Sequence, residues 1–131
     1  MHRVVAEIMQ RFPELASKIA AGDEDLPYTV MSDVTRWLKT VPPRDLPAAL
    51  GRLRSFVAWC EQQPRSDDPG EDVLTILVIG FFEKLLESDD LRRFVPVFLT
   101  RDDLERDPEY WKAWCGEDNY AKALEQFTAT T

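Results

Sequence analysis

Histidine is all but absent from this sequence: 131 residues hold one, His2, directly after Met1. Nucleophile–histidine catalysis needs an imidazole that the fold can position. Chain ends are usually mobile, so no catalytic role is expected of His2. Cysteine is scarce too. Cys60 and Cys115 lie far apart in the chain, and that spacing excludes a Cys/His zinc site. Each stands in an apolar helical pattern beside a tryptophan, Trp59 or Trp114, which predicts buried free thiols. The five glycines are isolated, so there is no glycine-rich phosphate loop. Lysine and arginine are outnumbered by aspartate and glutamate, 16 to 24, for a formal net charge of −8. A phosphate-backbone binder needs a basic surface, so no nucleic-acid partner is expected. No uncharged apolar run reaches the ~20 residues of a membrane span. Residues 1–21 are amphipathic rather than a basic head followed by an apolar run, and the expected location is the cytoplasm.

What is present has the composition of a soluble globular protein, 44% hydrophobic and 31% charged, in a length that suits one domain with its own core. The most apolar stretch is Asp72–Ser88, DVLTILVIGFFEKLLES. Leu74, Leu77, Val78, Phe81 and Leu85 recur at the spacing of a buried helical stripe. Ile76, Ile79, Phe82 and Leu86 widen that stripe until the helix is apolar on nearly every side, so it needs neighbours on several sides. Glu83, Lys84 and Glu87 mark the side expected to reach water. Glu71 and Asp72 suit the positive end of the helix dipole. A buried strand over Ile76–Phe82 is the rival reading, but the helical pattern runs on through Leu86, too long for a usual strand. Gly80 sits mid-helix at a cost of roughly 1 kcal/mol against Ala, which points to the close approach of a crossing helix.

The rest of the chain reads as helices punctuated by proline. Val5, Ile8, Phe12, Leu15 and Ile19 form a stripe over residues 3–20, which Pro13 either kinks or divides. A helix over residues 27–39 opens at Pro27, or at Ser32 as an N-cap, and Pro42-Pro43 ends it. A third covers residues 46–63, with Asp45 as its cap. PRSDDPG, residues 64–70, is the clearest loop. After the central helix, Ser88-Asp89-Asp90 caps a short helix carrying Leu91, Phe94 and Val95, which Pro96 ends or kinks. Thr100-Arg-Asp-Asp103 resembles a capping box. Asp107-Pro108-Glu109 starts a helix that Gly116 closes. Asp118 caps a last helix to about Phe127, and residues 129–131 fray. The expected fold is an all-α, single-domain bundle of about six or seven helices around the helix at 72–88.

Three clusters are candidates for function. Asp33 and Arg36 share a helical face at i, i+3, with Trp37 pointing inward. They form a local ion pair, or a polar network with Glu83 and Glu87. Glu83, Glu87 and Asp33 are also the best carboxylates for a metal-binding helical bundle. Such sites want paired acids from several helices, and Lys84 stands beside this pair. Solvated Glu87 and a Glu83–Arg36 ion pair are therefore preferred, with no metal and no cofactor. The third cluster is Tyr110, Trp111 and Trp114. Trp111 and Trp114 are placed on one face and Tyr110 within reach of Trp114, between the acids Glu105, Asp107, Glu109, Glu117 and Asp118. Aromatics are most often core, and aromatics ringed by acids suit an interface with a basic protein.

Phe12-Pro13-Glu14-Leu15, Asp33-Val34-Thr35-Arg36-Trp37-Leu38 and Phe81-Phe82-Glu83-Lys84-Leu85 resemble segments of small, uncharacterised bacterial all-helical proteins, over residues 10–100. Small acidic proteins of that kind are similar to the immunity proteins that neutralise toxins. The resemblance implies a non-catalytic protein that covers a basic partner surface, and it brings no catalytic residues. A carboxylate-metal enzyme and a homo-oligomeric scaffold are the other two readings.

Overall fold

Prolines set where the helices begin. In the computed structural model, which describes residues 1–129, proline occupies the first or second position of five helices: α2 (Pro13–Ala16), α3 (Pro27–Thr40), α4 (Leu46–Glu61), α7 (Val95–Phe98) and α9 (Pro108–Cys115). There the missing N–H leaves no bond unmade and the fixed φ already suits the helix. The other helices are α1 (Arg3–Arg11), α5 (Val73–Leu77), α6 (Glu83–Glu87), α8 (Arg101–Glu105) and α10 (Glu117–Ala129). The protein is all-α, with no strand among the described residues. Single turns of 3-10 helix at Pro43–Asp45 and Arg92–Phe94 lead into α4 and α7. Thr130 and Thr131, expected to fray, lie outside the described residues.

Several boundaries differ from those the sequence suggests. The stripe over residues 3–20 is divided, with Phe12 between α1 and α2 at a non-helical φ of −128°. Asp45 makes no capping bond, because the 3-10 turn ahead of α4 already holds it in helical geometry. Pro96 opens α7 rather than ending a helix. Asp118 lies inside the first turn of α10, which starts at Glu117 directly after Gly116 at φ +91°. The capping box at Thr100 is present with both bonds, Thr100 to the Asp103 N–H and Asp103 back to the Thr100 N–H.

The chain forms two compact units, Met1–Phe81 and Phe82–Thr131. In the first, α1, α3, α4 and α5 bury Val5, Ile8, Phe12, Val30, Met31, Val34, Leu53, Phe56, Ile76 and Leu77. In the second, α6 packs against α9 and α10, and Leu85, Leu86, Leu104, Trp111 and Ala123 are buried.

Residues 73–87 are helical throughout, as expected, with Asp72 and Ser88 at the ends. The middle is not α-helix: Val78–Phe82 is a π turn. A π turn holds one more residue than an α turn, so residues beyond it are rotated by about 100° from a straight α-helical wheel. Val73 and Ile76 are buried where Leu74 and Val78 were expected. Glu83, expected to face water, is only 5% exposed. Gly80 does meet a crossing helix. A Cβ built there would stand 2.9 Å from Met31 Cβ on α3.

Candidate functional site

Helix α9 is short, and its geometry follows from its first residue. Asp107 caps it by accepting from the Tyr110 N–H at 3.4 Å, and Pro108 follows in the first position. One face is pinned within the second unit. The Tyr110 hydroxyl donates to Glu83 Oε2 at 2.6 Å, the Cys115 thiol donates to the Glu83 backbone carbonyl at 3.8 Å, and Trp111 Nε1 donates to the Asp103 carbonyl at 3.3 Å. Trp111 is 6% exposed and belongs to the core. Three residues on, Trp114 is 65% exposed.

The two tryptophans therefore do not share a face as the i, i+3 spacing suggested. Positions three apart diverge by about 60° on a helix, enough to separate them when one is drawn fully into a core. Tyr110 does reach Trp114, with ring centroids 6.5 Å apart, and stands edge-on to Trp111 at 5.2 Å. Of the proposed interface residues, Trp114, Asp107 and Glu109 are exposed, Tyr110 is half-buried, and Trp111 is not available.

The charges around α9 are unbalanced. Arg106 is taken by Asp102 and Asp103, at 2.7 and 3.5 Å, and Glu105 pairs with Arg101. Lys112 lies over the Tyr120 ring, 5.5 Å from its centroid. Among the described residues, Asp107, Glu109, Glu117 and Asp118 make no ion pair. An exposed indole thus stands in a stretch that carries four uncompensated carboxylates.

Beneath it, Glu83 is a buried acid. Burial pushes its carboxyl above the ordinary glutamate range, against the Tyr110 hydrogen bond, and Glu87 adds to the rise. The Tyr110 phenol is raised by burial and by that same hydrogen bond. The Cys115 thiol is pushed up to about 12 by burial, and Cys60 likewise. Both cysteines are free and buried. Thiols so placed stay protonated and are poor nucleophiles.

The polar network expected of Asp33, Arg36, Glu83 and Glu87 resolves into separate pairs. Asp33 and Arg36 form their i, i+3 ion pair at 3.3 Å, and burial raises the Asp33 carboxyl against the pull of Arg36. Glu87 pairs with Lys84 at 3.7 Å. Glu83 takes the Tyr110 hydroxyl instead of an arginine, because the π turn has rotated it inward. Among the described residues no group of three or more His, Cys, Asp or Glu side chains is placed to hold a metal ion.

Three polar anchors in the first unit were missed. His2 is not mobile. Its Nδ1 accepts from the Val4 N–H at 3.1 Å, capping α1, and its Nε2 donates to the Gly70 carbonyl at 2.9 Å. Both ring nitrogens are thus used, one accepting and one donating. Asp72, 2% exposed, accepts from Arg65 through both oxygens, from the Ser66 N–H and from the Thr75 hydroxyl. Those donors, Arg65 first, hold its carboxyl well below the usual carboxylate range. The third anchor is Arg52, which grips Glu14 through two hydrogen bonds at 2.9 and 2.8 Å. Only Asp72 left a signal in the sequence, an acid at a helix start with a threonine three residues on.

Compared with models of known protein families, with curated proteins and with solved structures, the chain matches none. No helix among the described residues is long and apolar enough to cross a membrane.

Proposed function

We propose that this protein acts by binding, and that it covers a basic surface of another protein with the acidic face around Trp114, in the manner of an immunity or regulatory protein of the cytoplasm. The observation that carries the reading is the 65% exposure of Trp114. Large aromatics anchor interfaces when they are ringed by polar residues that exclude water on docking. Asp107, Glu109, Glu117 and Asp118 supply charge that draws in and orients a basic partner. Helix α9 is fixed from below, through Tyr110 and Cys115 to Glu83 and through Trp111 to Asp103, so the indole is presented on a rigid element and little ordering is needed on binding.

The test is affinity capture from a lysate with the wild-type chain and two surface variants, Trp114→Ala and the double variant Glu117→Lys/Asp118→Lys. The expected result is a basic protein that wild type retains, that added salt releases, and that both variants lose while melting like wild type. Equal capture of that protein by both variants, or capture of no basic protein by wild type, overturns the reading.

A further inference from the structure

One concavity of the first unit has no part in that surface. It is a cleft of about 560 Å³ in the first unit, between the turn after α2, the end of α3 and the start of α4. That volume lies within the range of small-molecule sites, roughly 300–1,000 Å³.

Its walls are built from few elements. One is a cluster of a cation and two rings. The Arg52 guanidinium stands 5.5 Å from the Trp37 ring centroid and 5.2 Å from that of Phe12, held in place by its two bonds to Glu14 and a third to the Arg11 carbonyl. Trp37 is half-buried and leans on Phe12, with centroids 5.3 Å apart. Val41 and Ala49 continue the apolar lining. Arg52 and Glu14 neutralise each other within the wall, so neither is free for a ligand.

Two charged side chains remain on the lining, one of each sign. Lys18 makes no ion pair among the described residues. Asp45 has only an exposed neighbour, Arg44, at 3.9 Å. They come from different segments, Lys18 from the turn after α2 and Asp45 from the 3-10 turn before α4. The lining is thus neutral in sum and carries one cation and one anion beside its apolar residues.

We propose that this cleft binds a small zwitterion with a flat apolar body, the chemistry of a free aromatic amino acid. The body lies on the half-buried Trp37, the carboxylate turns to the Lys18 ammonium, and the ammonium turns to the Asp45 carboxylate. A simple anion would leave Asp45 opposed to it, and a simple cation would leave Lys18 opposed. A molecule with both charges satisfies both side chains.

The experiment follows the Trp37 indole N–H resonance of the full chain while L-phenylalanine, 3-phenylpropionate and phenethylamine are titrated separately into the millimolar range. L-phenylalanine is expected to give a saturable shift, and each truncated probe to bind at least about tenfold more weakly, the size of one lost polar contact of ~1.4 kcal/mol. Lys18→Ala should weaken L-phenylalanine and 3-phenylpropionate but not phenethylamine, and Asp45→Asn should weaken L-phenylalanine and phenethylamine but not 3-phenylpropionate. Both residues are exposed, so neither variant threatens folding, as Trp37→Ala would. No saturable shift with L-phenylalanine overturns the proposal, as do equal affinities for all three probes and affinities indifferent to both substitutions.

Discussion

The Tyr110 hydroxyl donates to a carboxylate that the fold has buried, Glu83, at 2.6 Å. The contact ties α9 to α6, and with it the helix that presents Trp114. Tyr110→Phe keeps the ring and removes the donor, leaving a buried acid short of a partner. The expected loss is ~1–3 kcal/mol in denaturant unfolding. Glu83→Gln keeps an acceptor for Tyr110 and should cost less than Tyr110→Phe. The reverse order would show that the hydroxyl is not what stabilises this acid.

Two buried carboxylates give the protein opposite pH dependences. The Glu83 carboxyl is raised by burial, so the folded state holds this proton more tightly than the unfolded state does. Its contribution is best below the ordinary glutamate value and falls as pH rises from there to the raised folded value. Asp72 is lowered by Arg65, Thr75 and Ser66. Its contribution is complete above the ordinary aspartate value and is lost as pH falls below it. Thermal melts across the acid range should therefore show that Glu83→Gln removes a decline on the rising side. Asp72→Asn should remove a loss on the falling side.

Trp111 and Trp114 should separate in one experiment. Trp111→Ala opens a core cavity and is expected to cost ~3–5 kcal/mol. Trp114→Ala removes an exposed ring and should stay within about 0.5 kcal/mol of wild type. Urea midpoints at a common slope measure both. Equal costs would place Trp114 in the core and remove the basis for the binding surface.

Gly80→Ala is the test of the π turn's packing. Alanine favours the helix by roughly 1 kcal/mol. Its Cβ, however, would stand 2.9 Å from Met31 Cβ and 3.1 Å from Met31 Cγ, beside the stem of the side chain and not its flexible tip. Overpacking of that kind costs ~1–3 kcal/mol, so net destabilisation is expected. A double variant with Met31→Gly, which removes both Met31 atoms that the new Cβ would meet, should be less destabilised than the two single costs added together. Strict additivity would mean that the two residues do not compete for space.

The all-helical fold is written in the sequence. Apolar spacing at i, i+3 and i+4 located the helix at 73–87, and prolines, Thr100, Asp107 and Gly116 marked ends that the structure keeps, because caps and breakers act within a few residues of themselves. Gly80 announced a close neighbour, though only the tertiary structure shows it to be Met31. What the sequence could not decide was which way particular side chains turn. A straight wheel carries Glu83 outward, while the π turn brings it in. The wheel puts Trp111 and Trp114 on one face, while packing takes one and leaves the other in water. His2, Asp72 and Arg52 hold partners 68, 7 and 38 residues away. Local propensity is a property of neighbours in the chain. Burial, cleft and charge imbalance are properties of neighbours in space, and these exist only once the units have folded.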